Sequence, residues 1–417
     1  MKNHYEVLIV GGGTGGIMTA AQLLRQNKSL NIGLIDPSDA HYYQPAWTLV
    51  GAGTFNFQNT RREMSSVIPD GCQWIQEEVV SLEPHSNQLT TKSSGAITYD
   101  ILVLSPGVVN KLDDLEGLKE ALDTDFVCSN YVDPEKTWRI LKNFKGGNAL
   151  FTQPATPIKC GGAPQKIMYL AEDYLRKTGL RDKSNVIFAT PGSVIFGVED
   201  FALTLNKIID EKNILLKTFY KPIKIDSSEK KVYFEFSNPN ADIQSLKLNS
   251  EINESFSGNN QIVMPYEMLH TAPPQSPPQF ILDSDLVNET GWLDVDIHTL
   301  KHNSFENIFG LGDVAALPTA KTGAAIRKQA PVVVDQILNK LKSKTIKHES
   351  YNGYSSCPIV TGYGKMVLAE FEYNNVRKSD PIISTFLDTS KESWLLWILK
   401  KYGLPFLYWN MMLKGRM

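Results

Sequence analysis

A glycine-rich turn near the start of the chain constrains the fold more than any other feature. Residues 5–10 are predicted to form a buried strand, and residues 11–16 (Gly-Gly-Gly-Thr-Gly-Gly) fit the spacing G-x-G-x-x-G. A helical pattern follows to about Gln26, and a second strand at 32–35 ends in Asp36. This order is typical of a βαβ unit that binds a dinucleotide. The sequence therefore predicts a Rossmann-like first domain.

Each residue of this turn has a predicted role. Gly11 permits the tight turn, Gly13 lets a pyrophosphate approach the helix N-terminus, and Gly16 allows close packing of helix and strand. Gly12 belongs to the same binding loop, and Asp36 can accept hydrogen bonds from ribose hydroxyls. A glycine-rich turn without a ligand is the weaker interpretation, because the strand, turn, helix and acidic residue all agree.

A second signature lies at 307–313 (Asn-Ile-Phe-Gly-Leu-Gly-Asp), where a strand ends in Gly-Asp before a helix from about Lys321. Together the two motifs resemble the FAD/NAD(P) disulfide-reductase-like superfamily. The resemblance implies FAD, with Asp313 at the ribityl chain and Lys321 at the helix end that faces the flavin. A helix cap at Asp313 and a solvated side chain at Lys321 remain the alternatives. Further cofactor-binding candidates are Gln44, Val79 and Gly107.

The second α/β region lacks the repeat of this fingerprint that a nicotinamide-binding domain would carry. Its strand runs Val-Ile-Phe-Ala-Thr-Pro-Gly-Ser over 186–193. Pro191 removes a backbone N–H where a pyrophosphate needs donors, and only one glycine follows. An NADH site is therefore disfavoured, and we expect a small electron donor.

Two cysteines are candidates for the chemistry. Cys160 stands in a glycine-rich loop that opens a helix, and Lys159 and Lys166 nearby are expected to lower its thiol pKa. Cys357 lies in a short polar turn. The other two cysteines stand beside apolar, strand-like residues and are predicted to be buried thiols: Cys72 and Cys128.

Five segments carry a resemblance to a family that covers essentially the whole chain. These segments are residues 41–45, 154–170, 318–322, 357–363 and 405–413. They resemble the sulfide:quinone oxidoreductases of the mitochondrial-like type. The resemblance implies that hydrogen sulfide is oxidised to a cysteine persulfide and that FAD passes the electrons to ubiquinone or another membrane quinone. It also implies a sulfur acceptor such as sulfite, glutathione, cyanide or a further sulfide.

The chain departs from that family at one position. The animal mitochondrial members carry a redox cysteine directly after the Gly-Asp of the second flavin motif, where this chain has Val314. Cys357 is then the candidate partner of Cys160, in a disulfide or trisulfide that sulfide opens. If Cys357 cannot reach, Cys160 would need an external thiol.

The C-terminus is predicted to associate with a membrane surface. Two apolar, aromatic-rich stretches at 394–399 and 404–413 are separated by Lys400 and Lys401. Each is shorter than the ~18 residues needed to span a bilayer, but aromatics with flanking lysines suit an interfacial anchor. The alternative is that these stretches pack against the protein's own core or a dimer partner.

The net charge and the N-terminal sequence bear on the expected partners and cellular location. A formal net charge of −3 gives no reason to expect a nucleic-acid partner, and no metal site is expected. No charged-then-apolar leader precedes the first strand. We therefore expect a peripheral, monotopic membrane protein on the cytoplasmic face of a bacterial inner membrane.

These observations predict an α/β fold with two Rossmann-like domains and a C-terminal membrane-associating segment. The FAD-binding domain is expected at 1–112 and 263–340, the second domain at 113–262, and the C-terminal quinone and membrane segment at 341–417. A proline cluster at 271–278 is predicted to be a rigid extended linker. Two other functions stay open: a type II NADH:quinone oxidoreductase, and a non-catalytic FAD-binding scaffold at the membrane.

Overall fold

The structure is a computed structural model that describes residues 3–258, 261–342, 347 and 350–417. The strands in chain order are β1 His4–Val10, β2 Ile32–Ile35, β3 Ala40–Tyr42, β4 Arg61–Glu63, β5 Cys72–Ile75, β6 Val79–Glu83, β7 Gln88–Thr91, β8 Gly95–Leu104, β9 Val109–Asn110, β10 Val127–Cys128, β11 Gly147–Thr152, β12 Ser184–Thr190, β13 Leu215–Thr218, β14 Tyr220–Asp226, β15 Lys231–Phe236, β16 Ser255–Phe256, β17 Ile262–Pro265, β18 Met268–Thr271, β19 Gln275–Ser276, β20 Ile308–Gly310, β21 Ser355–Gly362 and β22 Lys365–Phe371. The α-helices are α1 Thr14–Gln26, α2 Trp47–Gly51, α3 Met64–Val67, α4 Leu118–Ala121, α5 Pro134–Asn143, α6 Ala163–Lys177, α7 Glu199–Glu211, α8 Gln279–Leu282, α9 Gly323–Lys340, α10 Pro381–Phe386, α11 Trp394–Ile398 and α12 Leu404–Leu407.

The first domain is built on a sheet with the strand order β5-β2-β1-β8-β7-β6, in which β20 also pairs with β8. Strands β2, β1, β8 and β20 run parallel, and their apolar residues are buried by layers on both faces of the sheet. The domain is discontinuous, because β20 joins it only after the chain has crossed the second domain. The carboxyl ends of β1, β8 and β20 therefore meet at one edge.

The second domain has a parallel sheet in the order β10-β18-β11-β12-β13 and an antiparallel sheet in the order β14-β15-β17-β16. The expected return to the first domain at residue 263 was too early. Strand β17 pairs with β15, and β18 lies between β10 and β11. All four residues of β18 are buried, since a central parallel strand is covered on both faces. The chain leaves the second domain only after Thr271.

The proline-rich stretch that follows is a buried crossing between the domains rather than a free linker. Ala272 is almost fully buried, and Gln275 pairs with Asn110 in the short antiparallel ladder of β19 and β9. The stretch is extended, as proline favours, but protein covers it. Its prolines therefore restrict the backbone of the segment that connects the two domains.

The C-terminal region begins with an antiparallel hairpin and ends in a helical run. Strands β21 and β22 pair with Cys357 opposite Ala369, and β21 packs on α6 and α9. Residues 394–412 then form a continuous helical run of α-helical and π-helical turns, which we call the C-terminal helical segment. Within the described residues, no helix combines the length and apolarity required to cross a membrane.

Candidate active site

Cys160 is held in an uncommon backbone conformation at the entry to α6. Its φ of +49° lies in the left-handed region, which residues other than glycine seldom adopt. Its N–H donates to the carbonyl of Lys321 at 2.7 Å, and its carbonyl accepts from the N–H of Ala163 at 2.7 Å and from the Tyr131 hydroxyl at 3.1 Å. These three contacts hold the strained residue in place and so fix the direction of its sulfur atom.

Cys357 is buried in β21 and contacts Cys160 through its thiol. Both cysteines are free thiols, and the thiol of Cys357 donates a hydrogen bond to the sulfur of Cys160. The glycine-rich loop makes room for this contact, because a Cβ atom at Gly162 would collide with the sulfur of Cys357. Packing of β21 on α6 thus brings together two residues that are far apart in the sequence.

Lys166 supplies the positive charge at this pair. Only 2% of its surface is exposed, and its Nζ donates to the sulfur of Cys160 at 3.1 Å. The hydrogen bond from Cys357, aided by the ammonium of Lys166, holds the pKa of Cys160 well below its ordinary value. The hydrogen bond to Cys160 and burial raise the pKa of Cys357 well above its ordinary value. The arrangement therefore favours a Cys160 thiolate beside a Cys357 thiol.

A second buried lysine, which the sequence did not assign to this site, comes from the C-terminal helical segment. Lys400 was expected to flank an interfacial anchor, but it is only 3% exposed and donates to the carbonyl of Pro45 at 2.9 Å. Burial, together with repulsion from Lys166, lowers the pKa of Lys400 to about 8. No local pattern separates Lys400 from Lys401, because only the tertiary contact with Pro45 turns it inward.

The remaining cysteines lie apart from this pair. Burial raises the pKa values of both Cys72 and Cys128 to about 12. The thiol of Cys128 donates to the carbonyl of Leu269 at 3.6 Å within the second sheet. Both thiols are therefore predominantly protonated near neutral pH.

The glycine turn has the geometry that a dinucleotide requires. Side chains at Gly11 and Gly16 would collide with the backbone carbonyls of Ser105 and Gly11, respectively. At Gly13, by contrast, an added Cβ atom would meet only open space, and α1 begins there without a side-chain cap. Backbone donors at this helix end are therefore accessible to a phosphate.

Asp36 stands beside that turn. Its carboxylate accepts from the N–H of Gly12 at 2.6 Å and from the N–H of Ser38 at 2.8 Å. Burial raises its pKa. Gly107, just beyond the end of β8, has a φ of +73° and also faces open space. Both residues follow strands at the carboxyl edge of the first sheet, and the backbone at Gly107 leaves open space there.

Asp313 and Lys321 lie close together near Cys160. Burial raises the pKa of Asp313 and lowers the pKa of Lys321 to about 8, while their mutual attraction opposes both shifts. The Nζ of Lys321 donates to Ala315 at 3.0 Å and lies 3.8 Å from the centre of the Trp292 ring, so this lysine is not a solvated side chain. Thr322, not Asp313, caps α9.

Two predicted cofactor-binding residues, Val79 and Gln44, lie away from the cysteine pair. The side chain of Val79 packs into the core of the first domain, so only its backbone is free to face a ligand. Gln44 is exposed at the start of a short 3₁₀ turn. The structure does not bring either side chain to the cysteine pair.

Several buried polar atoms near the loop after β3 have no hydrogen-bond partner in the part of the protein that the structure describes. Among the described residues, Trp47 Nε1, Thr48 Oγ1 and both amide atoms of Asn130 are buried and have no hydrogen-bond partner. Asn130 lies against Gly51, where a Cβ atom would collide with its amide oxygen. Since buried polar atoms normally find a partner, a ligand or ordered water is expected here. A bound group at this loop would find hydrogen-bond partners in these unpaired atoms.

The second domain does not form the equivalent cradle. After β12, residues 191–198 follow without helical structure before α7 begins at Glu199. Glu199 and Asp200 occupy the first turn of α7, where their negative charges oppose a phosphate. This arrangement agrees with the expectation that NADH is not the electron donor.

The fold and the site define a two-domain, disulfide-oxidoreductase-like flavoprotein. Residues 5–140 match the family described as pyridine nucleotide-disulphide oxidoreductase. The chain is 41% identical to mitochondrial sulfide:quinone oxidoreductase of Mus musculus, covering 99% of this chain and 87% of that protein. The Dictyostelium discoideum protein of the same name is 40% identical and covers 100% and 87%. The chain therefore belongs to the sulfide:quinone oxidoreductase family, and the predicted resemblance is confirmed.

A solved structure shares the fold. The X-ray structure of the sulfide:quinone oxidoreductase from Aquifex aeolicus superposes with a TM-score of 0.79 at 20% identity, covering 99% of this chain and 92% of that one. The predicted α/β class is confirmed, and membership in the family implies a flavin cofactor. The expectation of a bacterial inner membrane was wrong, because the curated relatives from Mus musculus, Dictyostelium discoideum and Schizosaccharomyces pombe, which match at least 98% of this chain, are all named as mitochondrial proteins.

Proposed function

We propose that this chain is an FAD-dependent sulfide:quinone oxidoreductase whose redox centre is the pair Cys160 and Cys357. The observation that carries the proposal is the contact between the two thiols, with the ammonium of Lys166 at Cys160. Family membership supports hydrogen sulfide and a quinone as the substrates. The names of the relatives also support a mitochondrial location.

The oxidised centre is a sulfur bridge between the two cysteines, and HS⁻ attacks its Cys357 sulfur. The bond between the cysteine sulfurs breaks, Cys357 becomes a persulfide, and Cys160 leaves as a thiolate. Attack takes this direction because the thiol of lower pKa is the better leaving group, and Lys166 stabilises the thiolate at Cys160. In this step the sulfide is oxidised to sulfane sulfur and the bridge is reduced by two electrons.

The cycle closes when a nucleophile removes the sulfane sulfur from Cys357. Sulfite, glutathione, cyanide or a second sulfide has the required chemistry, and a Cys357 thiolate remains. The bridge then re-forms between Cys357 and Cys160 with the loss of two electrons. FAD supplies the two-electron acceptor for this step and the route to the quinone. Lys166 and Lys400 offset the negative charge that the thiolates bring into a buried site.

The proposed FAD site joins the glycine turn to the second motif. Gly11, Gly12, Gly13 and Gly16 hold the pyrophosphate at the N-terminus of α1, and Asp36 holds the adenosine ribose. Asp313 holds the ribityl chain, and Gly107 leaves space for the cofactor. Lys321 would supply a positive charge that favours electron density on the flavin, and Gln44 and the backbone of Val79 would be further contacts.

We place the membrane and quinone end on the C-terminal helical segment and the neighbouring α10. Phe386 and Phe406 are 82% and 63% exposed. Phe406 also lines an open cavity of about 650 Å³ between this segment and residues 54–67. Its other lining residues include Phe55, Arg62, Lys401, Tyr402 and Lys414. Aromatics with cationic neighbours suit the boundary between lipid headgroups and acyl chains.

Reduction of decylubiquinone by purified, FAD-loaded protein tests the proposal. We expect quinone reduction with sulfide and sulfite present, and none when NADH replaces sulfide, because residues 191–198 and α7 form no phosphate cradle. Activity with NADH alone would indicate a type II NADH:quinone oxidoreductase instead. Absence of activity with both donors in protein that retains flavin would support a non-catalytic scaffold.

A further inference from the structure

We propose that Tyr408 is a positioning residue for the flavin, because its hydroxyl joins the C-terminal helical segment to the glycine turn that holds the pyrophosphate. The inference rests on the proposed binding of FAD to this turn. It adds a role for a residue that lies outside the dinucleotide motif and outside the cysteine pair. The role is to keep the turn in its binding conformation, which determines how tightly FAD is retained.

The hydroxyl of Tyr408 is at the centre of a buried hydrogen-bonded chain. It lies 2.8 Å from Thr14 Oγ1 and 2.5 Å from His41 Nε2. On its other side, His41 Nδ1 lies 2.9 Å from the carbonyl oxygen of Gly12. These hydrogen bonds therefore contact the glycine turn at two points, Gly12 and the first residue of α1.

The donor and the acceptor of each of these three hydrogen bonds follow from the carbonyl of Gly12. The carbonyl of Gly12 can only accept, so His41 Nδ1–H donates to it. In neutral imidazole the other nitrogen, Nε2, then accepts from the hydroxyl of Tyr408. The oxygen of Tyr408 accepts in turn from the hydroxyl of Thr14. Burial lowers the pKa of His41, which agrees with the neutral ring that this pattern requires.

Contacts on both sides of Tyr408 hold the segment against the first domain. Before it, Lys400 donates to Pro45 and Lys401 donates to Thr54 Oγ1, each at 2.9 Å. After it, the chain end returns to α1, where the side chain of Gln22 donates to the carbonyl of Met417 at 2.6 Å. These contacts hold the segment at points outside the glycine turn itself.

Thr14 connects the hydrogen bonds of Tyr408 to the proposed FAD site. It is the first residue of α1, where the free backbone N–H groups bind a pyrophosphate. Without the hydroxyl of Tyr408, the side chains of Thr14 and His41 both lose their shared partner in a buried place. The turn then has more freedom before FAD binds, and ordering it weakens binding.

The test compares Tyr408→Phe with Tyr220→Phe in purified protein that has been stripped of flavin and reconstituted. The control also removes a buried tyrosine hydroxyl with one strong partner, since Tyr220 donates to Glu254 at 2.6 Å in the second domain. We expect Tyr408→Phe to bind FAD about 3- to 10-fold more weakly, and Tyr220→Phe to bind it as the wild type does. Thr14→Val is expected to weaken binding in the same direction.

Melting temperatures of the apoprotein and the FAD-bound protein separate positioning from plain stability. A positioning role reduces the stabilisation that FAD gives in Tyr408→Phe. A purely structural role would lower both melting temperatures equally and leave the FAD affinity unchanged, and that result overturns the inference. If Tyr408→Phe does not fold, Thr14→Val decides alone by the same criteria. If the wild type itself does not bind FAD, the proposed cofactor is wrong as well.

Discussion

At Cys160 the backbone conformation and a buried charge act on the same sulfur atom. The left-handed φ directs the side chain toward Cys357. Lys166, in the first turn of α6, donates to the same sulfur. The sequence predicted a lysine effect at this cysteine from Lys159 and Lys166 together. In the structure only Lys166 donates to the sulfur, because it faces inward on α6.

Replacing Lys166 tests the electrostatic part of this account. Lys166→Gln removes a cation that lowers the pKa of Cys160, so the pKa of this thiol is expected to rise by about one unit or more. The rate of iodoacetamide alkylation of Cys160 in the anaerobically reduced protein, measured against pH, gives this midpoint. Lys177→Gln, at the exposed end of the same helix, is the matched control. An unchanged midpoint in Lys166→Gln would refute the assigned role of Lys166.

At the scale of elements, local signals predicted the bounds of some helices and strands well. Helix α1 ends at the predicted Gln26 and β2 spans the predicted residues 32–35, because the motif that marks them is local in sequence. Long-range contacts set other bounds, as at the break between β5 and β6. The carboxylate of Glu77 accepts from the N–H groups of Ser93 and Ser94, and this long-range contact stabilises the break between them.

The C-terminal helical segment shows what periodicity alone did not reveal. The sequence predicted two short apolar stretches separated by lysines and a glycine. The structure joins them into one helical run in which Gly403 packs beside Leu399 and Lys400 turns inward. Lys401 is the lysine that stays near the surface. One face of the segment packs on the protein and exposed aromatics remain elsewhere on it, so membrane association stays a prediction.

Exposed apolar side chains of α10 and the C-terminal helical segment allow a test of the proposed membrane docking. A Phe386→Ser, Phe406→Ser double variant removes two large exposed apolar side chains and is expected to bind phospholipid vesicles at least about 10-fold more weakly. Vesicle co-sedimentation measures this. Leu203→Ser, at an exposed position on α7 in the second domain, is expected to bind like the wild type. Equal binding by the double variant would show that the membrane contacts lie elsewhere.

At the scale of the whole molecule, the candidate site is assembled from three parts of the chain. The glycine turn belongs to the first domain, Cys160 to the second, and Cys357 to the hairpin that packs on α6. The dinucleotide motifs could be predicted from sequence because their spacing is local. The sequence offered Cys357 as the candidate partner of Cys160, but whether the two thiols meet could not be predicted, because it depends on the packing of β21. The hydrogen bond between Tyr408 and Thr14 could not be predicted either.

Anaerobic flavin absorbance tests whether Cys160 and Cys357 together form the redox centre. Sulfide is added to wild type, Cys160→Ser and Cys357→Ser, then decylubiquinone, with Cys72→Ser as the control for a cysteine outside the site. We predict that sulfide bleaches the flavin and quinone restores it in wild type and Cys72→Ser, and that both other variants stay oxidised. Bleaching of Cys357→Ser at the wild-type rate would contradict the two-cysteine centre.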